Sequence, residues 1–217
     1  MGSLKLFGII GIIAALLGIT ADLLLLYVPN GGYENWDYQF FTQISEQRIF
    51  WGHLIGVVCI PFELAGFWQV YKALEPAGRR WVLPVLLPVV FVTIWGVAYH
   101  AMLAGFAAYM RLQAEVVLPD ALSTQTFGHL KATIEPLGNL LFLLFVFISG
   151  GLFYLIRYKD THYPKWVAWV NPLLIYLIAV VLYLLFPQHI GSMAVVAGFN
   201  LSILVVLSTS TIVLWKR

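Results

Sequence analysis

Six long apolar runs dominate this chain, at roughly 4–28, 49–74, 81–111, 128–156, 165–186 and 189–214. Each reaches the length of about 20 residues that a helix needs to cross a bilayer. The runs are continuous rather than alternating, so they predict helices and not barrel strands. The third and fourth are long, which predicts tilt or extension beyond the hydrocarbon.

Composition supports that reading. Of 217 residues, 61% are hydrophobic and only 10% charged, where a soluble domain carries about 25% charged residues. No polar stretch is long enough for a second domain, so residues 1–217 are predicted to be one six-helix, all-α transmembrane domain. The net charge of +2 has no basic block and gives no support for nucleic-acid binding. One cysteine, Cys59, allows no internal disulfide and no cysteine metal motif. The first run is longer than a signal-peptide core and lacks a small-x-small cleavage site, so it reads as a retained span.

Basic residues orient the spans. With the N-terminus in the cytoplasm, nine fall inside (Lys5, Lys72, Arg79, Arg80, Arg157, Lys159, Lys165, Lys216, Arg217) and three outside (Arg48, Arg111, Lys131). Both termini are therefore expected to be cytoplasmic. Tyr154, Tyr158, Tyr163, Trp166 and Trp215 fit an inner aromatic belt; Tyr27, Tyr33, Trp36 and Trp51 fit an outer one. The outer loop 29–48 opens on a Pro29-Asn30-Gly31-Gly32 turn signal and continues as an aromatic stretch that predicts an interfacial helix.

Ionisable residues inside such runs are costly and by default mark function. Asp22 and Glu135 sit in the first and fourth runs, His100 in the third, and Glu63 near the middle of the second. Small residues mark the faces where membrane helices meet. Gly8, Gly11, Ala15 and Gly18 lead at helical spacing to Asp22. Thr93, Gly96, Ala104 and Ala107 flank His100. Glu135 shares a face with Gly138 and Asn139, and Asn200 lies beside the stripe Ala194, Gly198 and Ser202. At 1.5 Å per residue, Asp22 and Glu135 lie about 10 Å below the outer ends of their spans. Arg48, His53 and His189 are shallower. The expectation is a polar cavity in the outer half of the membrane. His100 is its acid–base candidate, Asp22 and Glu135 are charge stabilisers or alternative acids, and Arg48, His53, Glu63, Asn139 and Asn200 are ligand-binding groups.

No HExxH or other close-spaced metal pair is present. A metal would need ligands from several helices, such as Asp22, His53, His100 and Glu135, and a haem would need His53 with His100. No cofactor is expected. GxSxG, P-loop and GxGxxG signatures are missing, as are a voltage-sensor arginine ladder and a potassium-filter motif.

Two stretches, Arg48 through Gly56 to Pro61 and Pro164-Lys165-Trp166 with Asn171-Pro172, resemble an uncharacterised family of small bacterial six-span membrane proteins. The first-span pattern Gly18-x-x-x-Asp22 fits as well. The resemblance implies a bacterial inner membrane and carries no activity. The residues themselves leave three readings: binding of, and acid–base chemistry on, a small amphipathic or lipid-like molecule; a proton-coupled transporter; or an assembly subunit. In the last, small-residue faces would bind partner helices or a second copy of the chain.

Overall fold

A computed structural model describes residues 2–29, 32–33, 38–116 and 119–215. The turn at Asn30-Gly31, Trp36, Lys216 and Arg217 lie outside the described residues. The described residues are helical, with no strand: α1 Gly2–Leu26, α2 Glu46–Cys59, α3 Glu63–Leu74, α4 Arg79–Glu115, α5 Asp120–Tyr158, α6 Pro172–Leu185, α7 Ile190–Val196 and α8 Gly198–Leu214. Four helical stretches are long and apolar enough to cross a membrane, or five if α7 and α8 form one bent span. Large apolar side chains such as Phe91, Ile94, Leu143, Ile178 and Ile212 are exposed on the outside of the bundle. That exterior suits lipid rather than water, and this is the build of an integral membrane protein.

The second and sixth runs are not single straight helices. Pro61 lacks the N–H that would continue the α-helical ladder, and Ile60–Phe62 form a short 3-10 turn between α2 and α3. A bend of 75° separates α7 from α8. The fifth run is a 3-10 turn, Lys165–Trp169, followed by α6, which is only 14 residues long. Asn171 caps α6 by accepting a hydrogen bond from Leu173 N (3.1 Å), with Pro172 in the first turn.

Packing follows the small residues. α1 lies at the centre of one layer, against α2, α3 and α8; α4 packs on α2, α3 and α5; α6 packs on α7 and α8. A Cβ at Gly11 would come within 2.6 Å of the Gly66 backbone, so α1 and α3 touch main chain to main chain.

The end of the bundle where α1 finishes is stitched by arginines. Arg48 donates to Leu23 O (2.8 Å), which also accepts from Tyr27 N (3.3 Å), and to Tyr27 O (2.6 Å), at the C-terminal end of α1. Arg111 does the same for Ile44 O (2.8 Å). The predicted interfacial helix is instead a five-residue 3-10 turn, Gln39–Gln43, tucked inward. Phe40 and Phe41 are buried with Tyr33, Tyr38 and Phe106 in one apolar cluster. Tyr33 accepts from Val28 N and donates to Leu26 O; burial pushes its hydroxyl up to about 12, so it stays protonated and keeps that donor.

Candidate functional site

Glycines open the space in which the polar residues meet. A Cβ at Gly56 would fall within the imidazole of His100, and one at Gly18 would lie 2.7 Å from the carboxamide carbon of Asn200. At Gly52 a Cβ would press on the α1 backbone around Ala21 and Leu25. α2 and α8 therefore close onto α1 while leaving slots for one ring and one amide.

Three polar side chains converge there. Asn200 Nδ2 donates to Asp22 Oδ2 at 2.7 Å. His100 Nε2 lies 2.8 Å from Gly52 O. A carbonyl only accepts, so Nε2 carries hydrogen and a neutral ring turns the Nδ1 lone pair toward Asp22. Nδ1 and Asp22 Oδ1 are 3.9 Å apart, an ion-pair distance longer than a hydrogen bond. A proton on either partner creates an attractive pair, as carboxyl to imidazole or as imidazolium to carboxylate.

Glu63 completes the group. It is the first residue of α3, directly after the Pro61 break, and is only 3% exposed. Its Oε1 is buried with no hydrogen-bond partner among the described residues. Such an atom normally has one, so this is an acceptor held ready for something else.

All four residues line one cavity of about 200 Å³. Its polar wall is Asp22, Glu63, Thr93, Tyr99, His100 and Asn200; Leu141, Phe145, Ile148, Phe199 and Ile203 form much of the apolar wall. Thr93 is already engaged with Val89 O (2.9 Å). Along α4 the lining runs from Val89 to Leu103, the middle of that helix, whereas on α1 it takes Asp22 and Leu26, at the C-terminal end. Packed apolar clusters flank it on both sides. Leu103, Phe106 and Met110 belong to one, and Val82, Val85 and Val89 to the other. The side wall between α5 and α6 is sparser, closed where Tyr176 meets Phe145 (5.9 Å) and Phe142 (6.1 Å).

Four of the residues expected in the site lie elsewhere. Glu135 pairs with Lys131 (3.5 Å) one helical turn away, with 42% of its side chain exposed, and does not line the cavity. Glu135 lies one turn before Gly138, on a face of α5 that points away from the cavity. Asn139 is exposed on the same helix. Arg48 caps α1, as described above. His53 is half-buried on α2, outside the lining, although its Nδ1 has no partner among the described residues. Among those residues no three His, Cys, Asp or Glu side chains converge as metal ligands would.

A second polar cluster escaped the sequence reading. Gln69 Oε1 accepts from Ser210 Oγ (3.1 Å) and Thr211 Oγ1 (3.0 Å), and Gln69 Nε2 donates to Leu4 O (3.1 Å). Tyr163 adds a hydroxyl 2.7 Å from Ser210 Oγ, and burial raises its pKa, which keeps it a neutral hydrogen-bonding group. The hint was the spacing of Gly66 and Gln69, one turn apart on α3, facing the hydroxyl run of α8.

The chain belongs to a family of unknown function, DUF6796, whose model matches residues 1–217. No curated protein and no solved structure matches it.

Proposed function

We propose that this protein binds a small amphipathic molecule in the cavity and that His100 and Asp22 exchange a proton with its head group. The unpartnered Glu63 oxygen, buried in a cavity with one polar and one apolar wall, carries this reading. Ligand sites are concave and mostly apolar, with a few placed polar groups. His100 is anchored through Nε2, leaving Nδ1 as its working nitrogen, and Asp22 is held by Asn200. Acid–base chemistry of the hydrolase or isomerase kind needs only such groups and no cofactor. Clusters packed above and below the cavity favour entry from the lipid through the α5–α6 seam.

The setting belongs to the same proposal. Counting the bent α7–α8 pair and the 165–185 segment as spans gives six, with both termini in the cytoplasm and the protein in a plasma or bacterial inner membrane. Cysteines introduced at Gly32, Gly78 and Asp120, with Cys59 replaced, test the topology. An impermeant thiol reagent should reach the first and third from outside and the second only from inside. Outside labelling of position 78 reverses the orientation.

Activity is tested by screening lipid esters and small amphiphiles with the purified protein. Turnover by the parent and none by His100→Ala supports the acid–base role; equal turnover by both refutes it. Asp22→Asn keeps shape and removes charge, so it should lower kcat in a protein that remains folded.

A proton-coupled transporter is the second reading, favoured by the 75° bend between α7 and α8 beside the cavity. Asn200 stands in the first turn after that bend, and Glu63 follows the local 3-10 turn at Ile60–Phe62. Broken helices at mid-depth are a transporter habit. Solute uptake into proteoliposomes driven by a pH gradient, without turnover, would select it.

A further inference from the structure

The cavity also carries information about the charge of its occupant. No lysine or arginine lines it, whereas two carboxyl groups do. The donors on its polar wall are mostly engaged: Asn200 Nδ2 with Asp22, His100 Nε2 with Gly52 O, Thr93 Oγ1 with Val89 O. What remains on the cavity wall is the carboxyl groups of Glu63 and Asp22 and the imidazole of His100, together with the Tyr99 hydroxyl, which serves in either direction. An anionic head would meet two carboxyl groups and no cation. A primary ammonium brings three N–H donors and the positive charge that buried carboxylates need. Aromatic faces extend the match, since Phe145, Tyr176 and Phe199 cluster with centroids 4.8–5.9 Å apart and Phe145 and Phe199 line the cavity. Such rings suit an apolar tail and tolerate a nearby cation.

We infer that the occupant is a cationic amphiphile, a protonated primary amine on an apolar chain, with its ammonium between Glu63 and Asp22. This rests on the binding reading above and names the chemistry of the ligand. The ammonium donates to Glu63 Oε1 and Asp22 Oδ1, while His100 Nδ1 accepts the third N–H or takes up a proton released by the amine. The tail lies along α5 and α8.

The test uses hexylamine, hexan-1-ol and hexanoate as probes of equal tail length. Each is measured at neutral pH by equilibrium dialysis against the full chain in detergent, with protein-free micelles subtracted. Hexylamine should bind at least about tenfold more tightly than hexanol, with hexanoate weakest, in keeping with a charge-assisted pairing. Glu63→Gln preserves shape and should reduce hexylamine to the level of hexanol while leaving hexanol unchanged. Asp22→Asn should act in the same direction, as a check independent of any folding defect in the first variant. Gly96→Leu separates the two layers of the argument. A Cβ at Gly96 meets only Ile60 Cγ2, at 3.8 Å, and Gly96 lines the cavity, so a larger side chain there starts from open space on the cavity wall. It should abolish binding of all three probes. Equal affinities for the three probes, all lost in Gly96→Leu, would overturn the cationic head and leave the cavity reading standing. Unchanged hexylamine affinity in both Glu63→Gln and Asp22→Asn would overturn it as well. No binding by any probe, or binding that survives Gly96→Leu, would remove the cavity reading and this inference with it.

Discussion

Two polar clusters share the helices α1, α3 and α8, one of them with His100 of α4 added, and only the other is fully paired. Around Gln69 every contact closes on another group of the chain: Ser210, Thr211, Tyr163 and the Leu4 carbonyl. Gly8 gives the Gln69 amide its room, just as Gly18 gives room to Asn200. Around Asp22 the same design stops short. His100 stands 3.9 Å from the carboxyl, Glu63 keeps an oxygen without a partner, and a cavity lies alongside. A fully paired cluster stabilises helix association, because the alternative is unpaired polar groups in hydrocarbon. On the proposed reading, the incomplete one gives up stability to leave room for a ligand, a compromise common at binding sites.

That contrast can be broken by measurement. Gln69→Leu should have the largest effect, about 2–4 kcal/mol, because it removes three hydrogen bonds at once, with Ser210, Thr211 and the Leu4 carbonyl. Unfolding by sodium dodecyl sulfate in mixed micelles measures it, and a loss below about 0.5 kcal/mol would mean the closed cluster is ornamental. Gly18→Ala comes next at about 1–2 kcal/mol, since the Asn200 carboxamide must move off Asp22. Glu63→Gln should have the opposite sign to Gln69→Leu: stability unchanged or raised by up to about 1 kcal/mol, because a buried acid without a partner is replaced by a neutral amide. A clear destabilisation would make Glu63 a structural residue after all. Smallest is Gly96→Ala, a gain of about 0.5 kcal/mol from helix propensity in a place where the methyl group meets ordinary contacts only.

Much of this was legible in the sequence where local spacing carried it. The Gly8, Gly11, Gly18 stripe pointed Asp22 into the bundle, and the small residues around His100 did the same for the ring. Depth was harder. Counting from span ends put the ionisable groups in the outer half, but α5 starts at Asp120, ahead of its apolar run at 128, and the lining falls at the middle of α4 and α5. Glu135 was misplaced although Lys131, four residues earlier, was in view as its partner. Arg48 could not be assigned from spacing, since the carbonyls it caps lie 25 and 21 residues away. The Gln69 cluster spans three helices and the turn before α6, a meeting no periodicity announces. Helix breaks were half visible: Pro61 marks one, whereas nothing as plain as a proline marks the bend at Ala197.

The imidazole of His100 fills the place where a side chain on residue 56 would be. The two positions are therefore not free to drift independently among descendants of this chain. A lineage that acquires even alanine at position 56 must give up the imidazole or shift a helix, and one that loses the imidazole is left with a hole at the α2–α4 contact that a larger residue at 56 can fill. Relatives should accordingly sort into two groups, glycine with histidine or a bulkier residue with a small one, and the mixed combinations should be rare. Such sorting would separate members that keep the proposed proton-exchanging site from members that retain only the scaffold.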